Sequence, residues 1–369
     1  MKKAAILVTG GAGFIGCNLV RRLCLSSRYH VINLDKLTYA GNLESLVDLM
    51  DHPCHTFVRG DISDRELVKS LLNKHQPLAV FNLAAESHVD RSIVSGIDFL
   101  KTNVLGTYNL LEEARSYWDS LDKTGKSAFR FIHISTDEVY GSLGEQGKFT
   151  EQSRIQPNSP YSASKASSDH FVRAFFHTYG LPTITTNCSN NYGPYQFPEK
   201  MIPLMINYAI EAKPLPVYGD GGNVRDWIHV SDHCAALEVI LKKNQPGEVF
   251  NIGGDSEWKN IDVVRAICEI LEELFPVRKN PEMIAKAIGK YSDLITFVPD
   301  RPGHDRRYAI DSSKISSQLG WKPKFTFPEG LHQTVEWYLE HRKWVDHVRS
   351  GEYQHWMDPS ETRRLEEKG

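Results

Sequence analysis

The feature that most narrows what this chain can fold into is a set of glycines directly behind a short apolar run. Residues 4–8 read Ala-Ala-Ile-Leu-Val, and residues 9–16 read Thr-Gly-Gly-Ala-Gly-Phe-Ile-Gly. Gly10, Gly13 and Gly16 recur every third position, and a helical pattern follows to about Leu25. A strand, a turn free of side chains and a helix, in that order, let an anion approach the backbone. The turn can be tight, and the first N–H groups of the helix have no partner inside it. The next apolar run, residues 31–34, ends at Asp35. A carboxylate there accepts hydrogen bonds from the ribose of an adenine dinucleotide and repels a 2′-phosphate. The segment therefore predicts an NAD site, with Gly10, Gly13, Phe14, Ile15 and Gly16 at the pyrophosphate and Asp35 at the ribose.

The rest of the first half suits that reading. Residues 4–8, 31–34, 79–83 and 131–134 are short, predominantly apolar runs without strict alternation, broken only by Asn33, Asn82 and His133, as suits strands covered on both faces. Amphipathic stretches separate them. Ser63-Asp64-Arg65-Glu66 reads as a capping box opening a helix through Leu72, and Leu100, Val104, Leu105, Tyr108 and Leu111 share one helical face. Such alternation predicts an α/β fold, a Rossmann-type doubly wound parallel sheet. After about Asn190, Gly, Pro and aromatic residues become frequent, and helices are expected over 261–275 and 331–348. This half predicts a smaller C-terminal α/β substrate lobe. The expected division is 1–189 for the dinucleotide domain, with 224–252 returning to it, and 190–223 plus 253–369 for the lobe.

Charge excludes other classes. The 369 residues carry 43 Lys and Arg against 46 Asp and Glu, a net charge of −3, with no basic block for nucleic acid. No apolar run approaches the roughly 18–20 residues that span a bilayer, and the start lacks the pattern of a secretory signal, so a cytoplasmic protein is expected. Six scattered cysteines without a C-x-x-C predict buried, reduced thiols. The sign-alternating end, 361–369, reads as solvated. His229, His233 and Cys234 have zinc-like spacing but no second ligand cluster, so no metal is expected; the segment reads better as a strand entering a helix capped by Ser231.

The sharpest chemical signal is Tyr161-Ser-Ala-Ser-Lys165. Residues four apart share a helix face, and a fixed ammonium would lower the phenol towards working pH. Ser159 as N-cap and Pro160 at N1 would put Tyr161 in the first turn, where the helix dipole also favours phenolate. Such a tyrosine suits removal of a hydroxyl proton as hydride leaves the same carbon. Upstream, the run 131–135 leads into Thr136-Asp137-Glu138, where Thr136 could hydrogen-bond a sugar hydroxyl. Two adjacent carboxylates beside a cofactor can be driven apart, one protonated and one ionised. Asp61 and Ile62 could flank the adenine, and the small residues Leu83, Ala84 and Ala85, with Ser87, could pass near the ribose and nicotinamide.

These residues resemble the extended short-chain dehydrogenase/reductase family that acts on nucleotide sugars. Within it, Ser135-Thr-Asp-Glu-Val-Tyr-Gly141 is similar to the signature of dTDP-glucose 4,6-dehydratases. So are residues 83–87, Asn187-Cys-Ser-Asn-Asn-Tyr-Gly-Pro-Tyr195, Pro198-Glu-Lys-Met-Ile-Pro203, Arg225-Asp-Trp227 and Asp300-Arg-Pro-Gly-His-Asp305. The resemblance runs from residue 3 to about 345 and implies an NAD-dependent hydro-lyase acting on dTDP-glucose. It implies Tyr161 with Lys165 as the base at C4, Thr136 orienting that hydroxyl, Glu138 as the base at C5 and Asp137 as the acid at C6. It adds Lys36, Leu37, Thr38, Thr102 and Asn191 to the cofactor site. To the substrate it assigns Ser87, Thr136, Asn190, Lys200, Met201, Arg225 and Asn260, with Pro216, Val217, Tyr218, Asp300, Arg301 and His304 around the base and ribose. A 4-epimerase would share the glycines and the Tyr–Lys pair but not Asp137-Glu138. UDP- or CDP-glucose remains an alternative substrate. A non-catalytic NAD-binding sensor would usually have lost one of the five reacting residues. Helices over 97–118 and 160–179, apolar on more than one face, are expected, partly from the resemblance, to pair in a homodimer.

Overall fold

Strands covered on both faces must send alternate side chains into two separate cores, and the first strand does so. In the computed structural model, which describes residues 3–243, 245–300 and 303–351, Ile6 and Val8 of β1 (Ala4–Thr9) enter one core and Leu7 the other. The first core lies under the helices Phe14–Leu25 and Val230–Lys243 and holds Leu19, Leu23 and Leu237. The second lies under Arg65–His75, Thr107–Ser120 and Pro160–Tyr179, with Val68, Leu110 and Phe175.

Seven strands form the central sheet: β1, β2 (Tyr29–Asp35), β3 (His55–Arg59), β4 (Ala79–Asn82), β5 (Arg130–Thr136), β6 (Thr183–Cys188) and, beyond β7 to β9, β10 (Val249–Ile252). Their order is β10-β6-β5-β4-β1-β2-β3, and every pairing is parallel. The chain winds outward from β1 to β3 and then crosses back to β4 on the other side of β1. That reversal opens a crevice at the carboxyl ends of β1 and β4, where ligands bind open α/β sheets.

A second apolar cluster, around Tyr192, Ile206, Trp227, Ile267, Phe327 and Tyr338, is built from the later residues. Beside it lie a sheet of β7 (Asn190–Tyr192), β9 (Val224–His229) and β11 (Glu257–Lys259), and a pair of β8 (Leu215–Tyr218) with β12 (Ile295–Val298). Among the described residues no helix is long and apolar enough to cross a membrane. All six cysteines are buried and unbridged.

Several local expectations are corrected. The helix expected to open at Ser63 is capped by Asp64, whose carboxylate takes the Leu67 N–H at 3.0 Å, and it runs past Leu72 to His75. Ser231 is not the cap of its helix, which already begins at Val230; its hydroxyl meets His229 Nδ1 at 2.6 Å. The 97–118 stretch is π-helical over Leu100–Gly106, and 331–348 is split between Phe327–Glu340 and Arg342–Ser350.

At Gly16 an added Cβ would stand 2.1 Å from the Gly10 carbonyl oxygen, whereas at Gly144 it would meet nothing within 4 Å. Gly16→Ala should therefore cost about 1–3 kcal/mol of stability despite alanine's better helix propensity. Gly144→Ala should leave the urea midpoint unchanged. Equal midpoints for the two variants would contradict the packing of the turn.

Candidate active site

The glycine turn meets the end of β4 without room for side chains. Gly10 has φ +72°, and a Cβ there would lie 2.6 Å from the Ala84 nitrogen. Gly13 is the N-cap of the helix Phe14–Leu25, and no side chain caps that end. Asp35 is 8% exposed; its Oδ2 accepts the Ala12 N–H and its Oδ1 the Leu37 N–H, both at 2.8 Å. Burial pushes this carboxyl up, and the two amides pull against it. Each oxygen keeps a further lone pair for a hydroxyl. Such a side-chain-free cradle with a carboxylate at its rim fits a dinucleotide. Asp61, expected at an adenine amino group, is also held by Lys36 Nζ at 2.6 Å and by the Ser63 N–H at 2.9 Å. Burial would raise its carboxyl, but these hydrogen bonds outweigh burial and lower it.

The crevice is a cleft of about 320 Å³. It is lined by every residue expected at the cofactor except Leu37, which contributes its N–H to Asp35. Thr136, Asp137, Glu138, Ser87, Asn190 and Lys200 line the same cleft.

The reacting groups come from β5 and the helix beside it. Thr136 caps the short turn Asp137–Tyr140, its hydroxyl taking the Glu138 N–H at 3.3 Å. Asp137 is 1% exposed, and its Oδ2 has no hydrogen-bond partner. Burial first, then the neighbouring carboxylates Glu138 and Asp226, hold it well above the usual carboxylate range, which favours its protonated form. Ser159 accepts the Ser162 N–H at 3.0 Å and Pro160 opens the helix, which puts Tyr161 in its first turn.

The expected lowering of the phenol by Lys165 is not found. Burial, then Glu138, Cys188 and Asp137, hold Tyr161 well above its ordinary value, and a hydrogen bond with Thr136 opposes them. Lys165 is turned to the strand instead, donating from Nζ to the Ile134 carbonyl at 2.8 Å, and burial lowers its own value.

The residues expected at the nucleotide end do not line this cleft. Pro216 and Tyr218 alternate outward on β8, while the Val217 side chain is buried in the second apolar cluster. The Tyr218 and His304 rings are 6.2 Å apart, and His304 Nδ1 meets Asp300 Oδ1 at 2.6 Å. Arg225 is buried over the Tyr308 ring at 4.4 Å, donating to the Asp305 carbonyl at 2.9 Å. Its charge reaches Asp137 and Tyr308 is raised by Glu138, so the two groups of residues adjoin. Met201 starts the helix Met201–Ile210 against the second cluster, and the Asn260 N–H bonds to Asn223 at 2.9 Å. Arg301 and residues 361–369 lie outside the described residues. His233 is engaged with Asn191 at 2.8 Å, and among the described residues no three His, Cys, Asp or Glu gather as a metal-binding group.

The cleft also contains Tyr39, Glu86, Cys188, Gln196, Phe197 and Glu199, which sequence reasoning did not single out. Tyr39 packs edge-on against Phe197 at 5.6 Å and under Arg91 at 3.5 Å, and Glu199 lies 3.5 Å from His88. The available signal was position: each follows a strand end or sits beside a residue already chosen.

A family model described as GDP-mannose 4,6 dehydratase matches residues 7–334. A dTDP-glucose 4,6-dehydratase of Xanthomonas campestris pv. campestris (strain B100) is 57% identical over 350 residues, covering 95% of this chain and 97% of that one. The crystal structure of dTDP-glucose 4,6-dehydratase from Bacillus anthracis str. Ames, in complex with NAD, superposes with a TM-score of 0.82. It is 45% identical and covers 94% of this chain and 99% of its own. The Streptomyces venezuelae enzyme of that name, solved with NAD and dTDP bound, gives a TM-score of 0.83 at 42% identity, covering 93% and 99%.

A protonated Asp137 should give a carboxylic-acid C=O stretch in the infrared at neutral pH. The band should fade as pH rises through the group's raised value and be missing in Asp137→Asn. A neutral-pH spectrum unchanged by that substitution would mean the carboxyl is ionised.

Proposed function

The chain belongs to the family described as GDP-mannose 4,6 dehydratase, and from that premise we propose that it removes water from dTDP-glucose in an NAD-dependent reaction, giving dTDP-4-keto-6-deoxyglucose. One observation carries the choice of dehydration over epimerisation: a buried carboxyl held well above the usual carboxylate range, Asp137, beside a second carboxylate, Glu138, in the cleft that holds Tyr161. Epimerisation at C4 needs no acid to expel a hydroxyl; elimination does. Curated relatives that cover nearly the whole chain support the nucleotide, which one methyl group, about 1–3 kcal/mol in a pocket, would hardly decide.

In this reading Gly10, Gly13 and Gly16 hold the cofactor pyrophosphate and Asp35 its ribose. Bound NAD supplies a reversible hydride acceptor for C4 and, after water loss, a donor to C6. Burial favours the phenol, so Tyr161 must first lose its own proton; as phenolate it takes the C4 hydroxyl proton while Thr136 orients that hydroxyl. Oxidation at C4 acidifies the C5 hydrogen, which Glu138 removes as a proton; a proton goes back to C5 when hydride returns to C6. Asp137 delivers its proton to the departing C6 hydroxyl, and burial keeps that proton in place until then. Lys200, on the cleft, and Arg225, adjoining it over the Tyr308 ring, are assigned to the sugar and diphosphate, the planar guanidinium suiting paired phosphate oxygens. Residues 1–189 with 224–252 serve the cofactor, and 190–223 with 253–369 the nucleotide sugar. The reaction would take place in the cytoplasm.

Incubation of the purified protein with dTDP-glucose, without added NAD, should give a product lighter by one water on mass spectrometry. Asp137→Asn with Glu138→Gln should still oxidise C4, seen as absorbance of bound reduced cofactor, yet release no water. Water loss only from UDP- or CDP-glucose would move the substrate and keep the mechanism. An unchanged mass with every nucleotide tried would overturn the dehydration.

The same reading includes a homodimer. Val94 is 88% exposed, and Ile97, Leu100, Leu105, Tyr108 and Phe171 are exposed apolar side chains on the neighbouring stretches 89–120 and 160–179. Tyr108 and Phe171 already stack edge-on at 5.4 Å. An apolar patch shared by two helices suits a self-complementary twofold contact. Light scattering at micromolar concentration should give twice the chain mass, and Leu100→Arg with Phe171→Arg should halve it. A monomeric parent protein would exclude the pairing.

A further inference from the structure

The helix that carries Tyr161 is tied to β5 twice within one turn. Lys165 Nζ donates to the carbonyl of Ile134 at 2.8 Å. Four residues on, and therefore on the same face, Asp169 reaches the side chains on either side of that carbonyl. Its Oδ2 accepts the Ser135 hydroxyl at 2.8 Å, and its Oδ1 lies 3.3 Å from His133 Nε2. All five residues are buried, Asp169 at 7% exposure and Lys165 at 4%.

The surrounding groups determine the charges. Asn82 Nδ2 donates to His133 Nδ1 at 3.1 Å, so the neutral ring carries its proton on Nε2, facing Asp169. Burial, then Lys165, lower that ring to about 4, and it stays neutral. From β6, Cys188 faces Lys165 as a thiol pushed up to about 12 by burial, and Tyr161 on the same helix is held protonated. Among these groups Asp169 is the one that supplies negative charge to the buried ammonium. The network continues to the dinucleotide turn: Asn82 Oδ1 accepts the Thr9 hydroxyl at 2.8 Å, and Thr9 accepts the Ala84 N–H at 3.3 Å.

We propose that Asp169 is a positioning residue of this active site, locking the Tyr161 helix in register on β5 and serving as the counter-charge that keeps Lys165 an ammonium. The inference rests on the reading of Tyr161 and Lys165 given above. It makes physical sense of a carboxylate buried away from the reacting carbons, because an isolated buried ammonium would lose its proton instead of its partner.

The test uses the NAD-loaded protein and the variant Asp169→Asn, with kcat and KM for dTDP-glucose measured across pH. Bound NAD and KM should stay within about twofold, while kcat should fall on the order of tenfold or more. The alkaline limb of kcat should move to lower pH, since removing the carboxylate makes the ammonium easier to deprotonate. An unchanged limb, or a kcat loss explained entirely by lost NAD, overturns the proposal. Should Asp169→Asn not fold, Asp169→Asn with Lys165→Met should, because both buried charges are then gone; failure of both overturns the counter-charge. Tyr161→Phe, assayed in parallel, separates the two levels. If it still oxidises C4, the reading of the site itself fails and Asp169 falls with it; if it does not, the result for Asp169 stands alone.

Discussion

At the middle of the sheet two strand ends come so close that no side chain fits between them. The Gly10 turn sits 2.6 Å, measured from a Cβ it does not have, from the Ala84 nitrogen. That contact places the mouth of β1 against the mouth of β4, next to the reversal in strand order. Asp35, Asp61, Ser87, Thr136 and Tyr161 come within one cleft because they are carried to it by strand ends and by the helix packed beside β5. A bulkier turn would move the glycine helix off the sheet and separate these groups by the width of a side chain.

Burial acts on the site in one consistent direction. It favours the neutral form of every group it encloses, so Asp137 and Tyr161 are biased towards their protonated forms, and Lys165 and His133 are pressed to give their protons up. Left alone, such a cleft would hold no charge and perform no acid–base chemistry. Partners are built in against that pressure at three carboxylates: two amides at Asp35, Lys36 at Asp61, and the Ser135 hydroxyl at Asp169. An acid is then available at Asp137 beside a network of fixed dipoles.

Much of the fold was legible because double-sided burial leaves its mark on composition. Residues 4–8, 31–34 and 131–134 are apolar but for Asn33 and His133 and do not alternate strictly, and each lies in an inner strand of the sheet. The strands β3, His-Thr-Phe-Val-Arg, and β6, Thr-Ile-Thr-Thr-Asn-Cys, escaped that pattern. At β6 the threonines are buried and hydrogen-bonded, Thr183 to the Val172 carbonyl and Thr186 to that of His133, so polar residues occupy a core strand. The helix cap moved by one residue because Ser63 and Asp64 are both competent caps, and local sequence does not rank them once Ser63 donates its N–H to Asp61.

Local order in the chain was enough to specify the glycine turn, the carboxylate ending the second strand, the capped helix with Tyr161 in its first turn, and a pair of acids after the fifth strand. These depend on spacing, and spacing is a property of the chain alone. What the tertiary structure decided was the state of those groups. The sequence spacing of Tyr161 and Lys165 suggested a phenol lowered by an ammonium; packing turned that ammonium to the Ile134 carbonyl and left the phenol raised. Tyr39, far along the chain from Phe197 and Glu199, became their neighbour in the cleft wall for the same reason. Burial and the direction of a hydrogen bond depend on which distant segments lie alongside, and no local pattern carries that information.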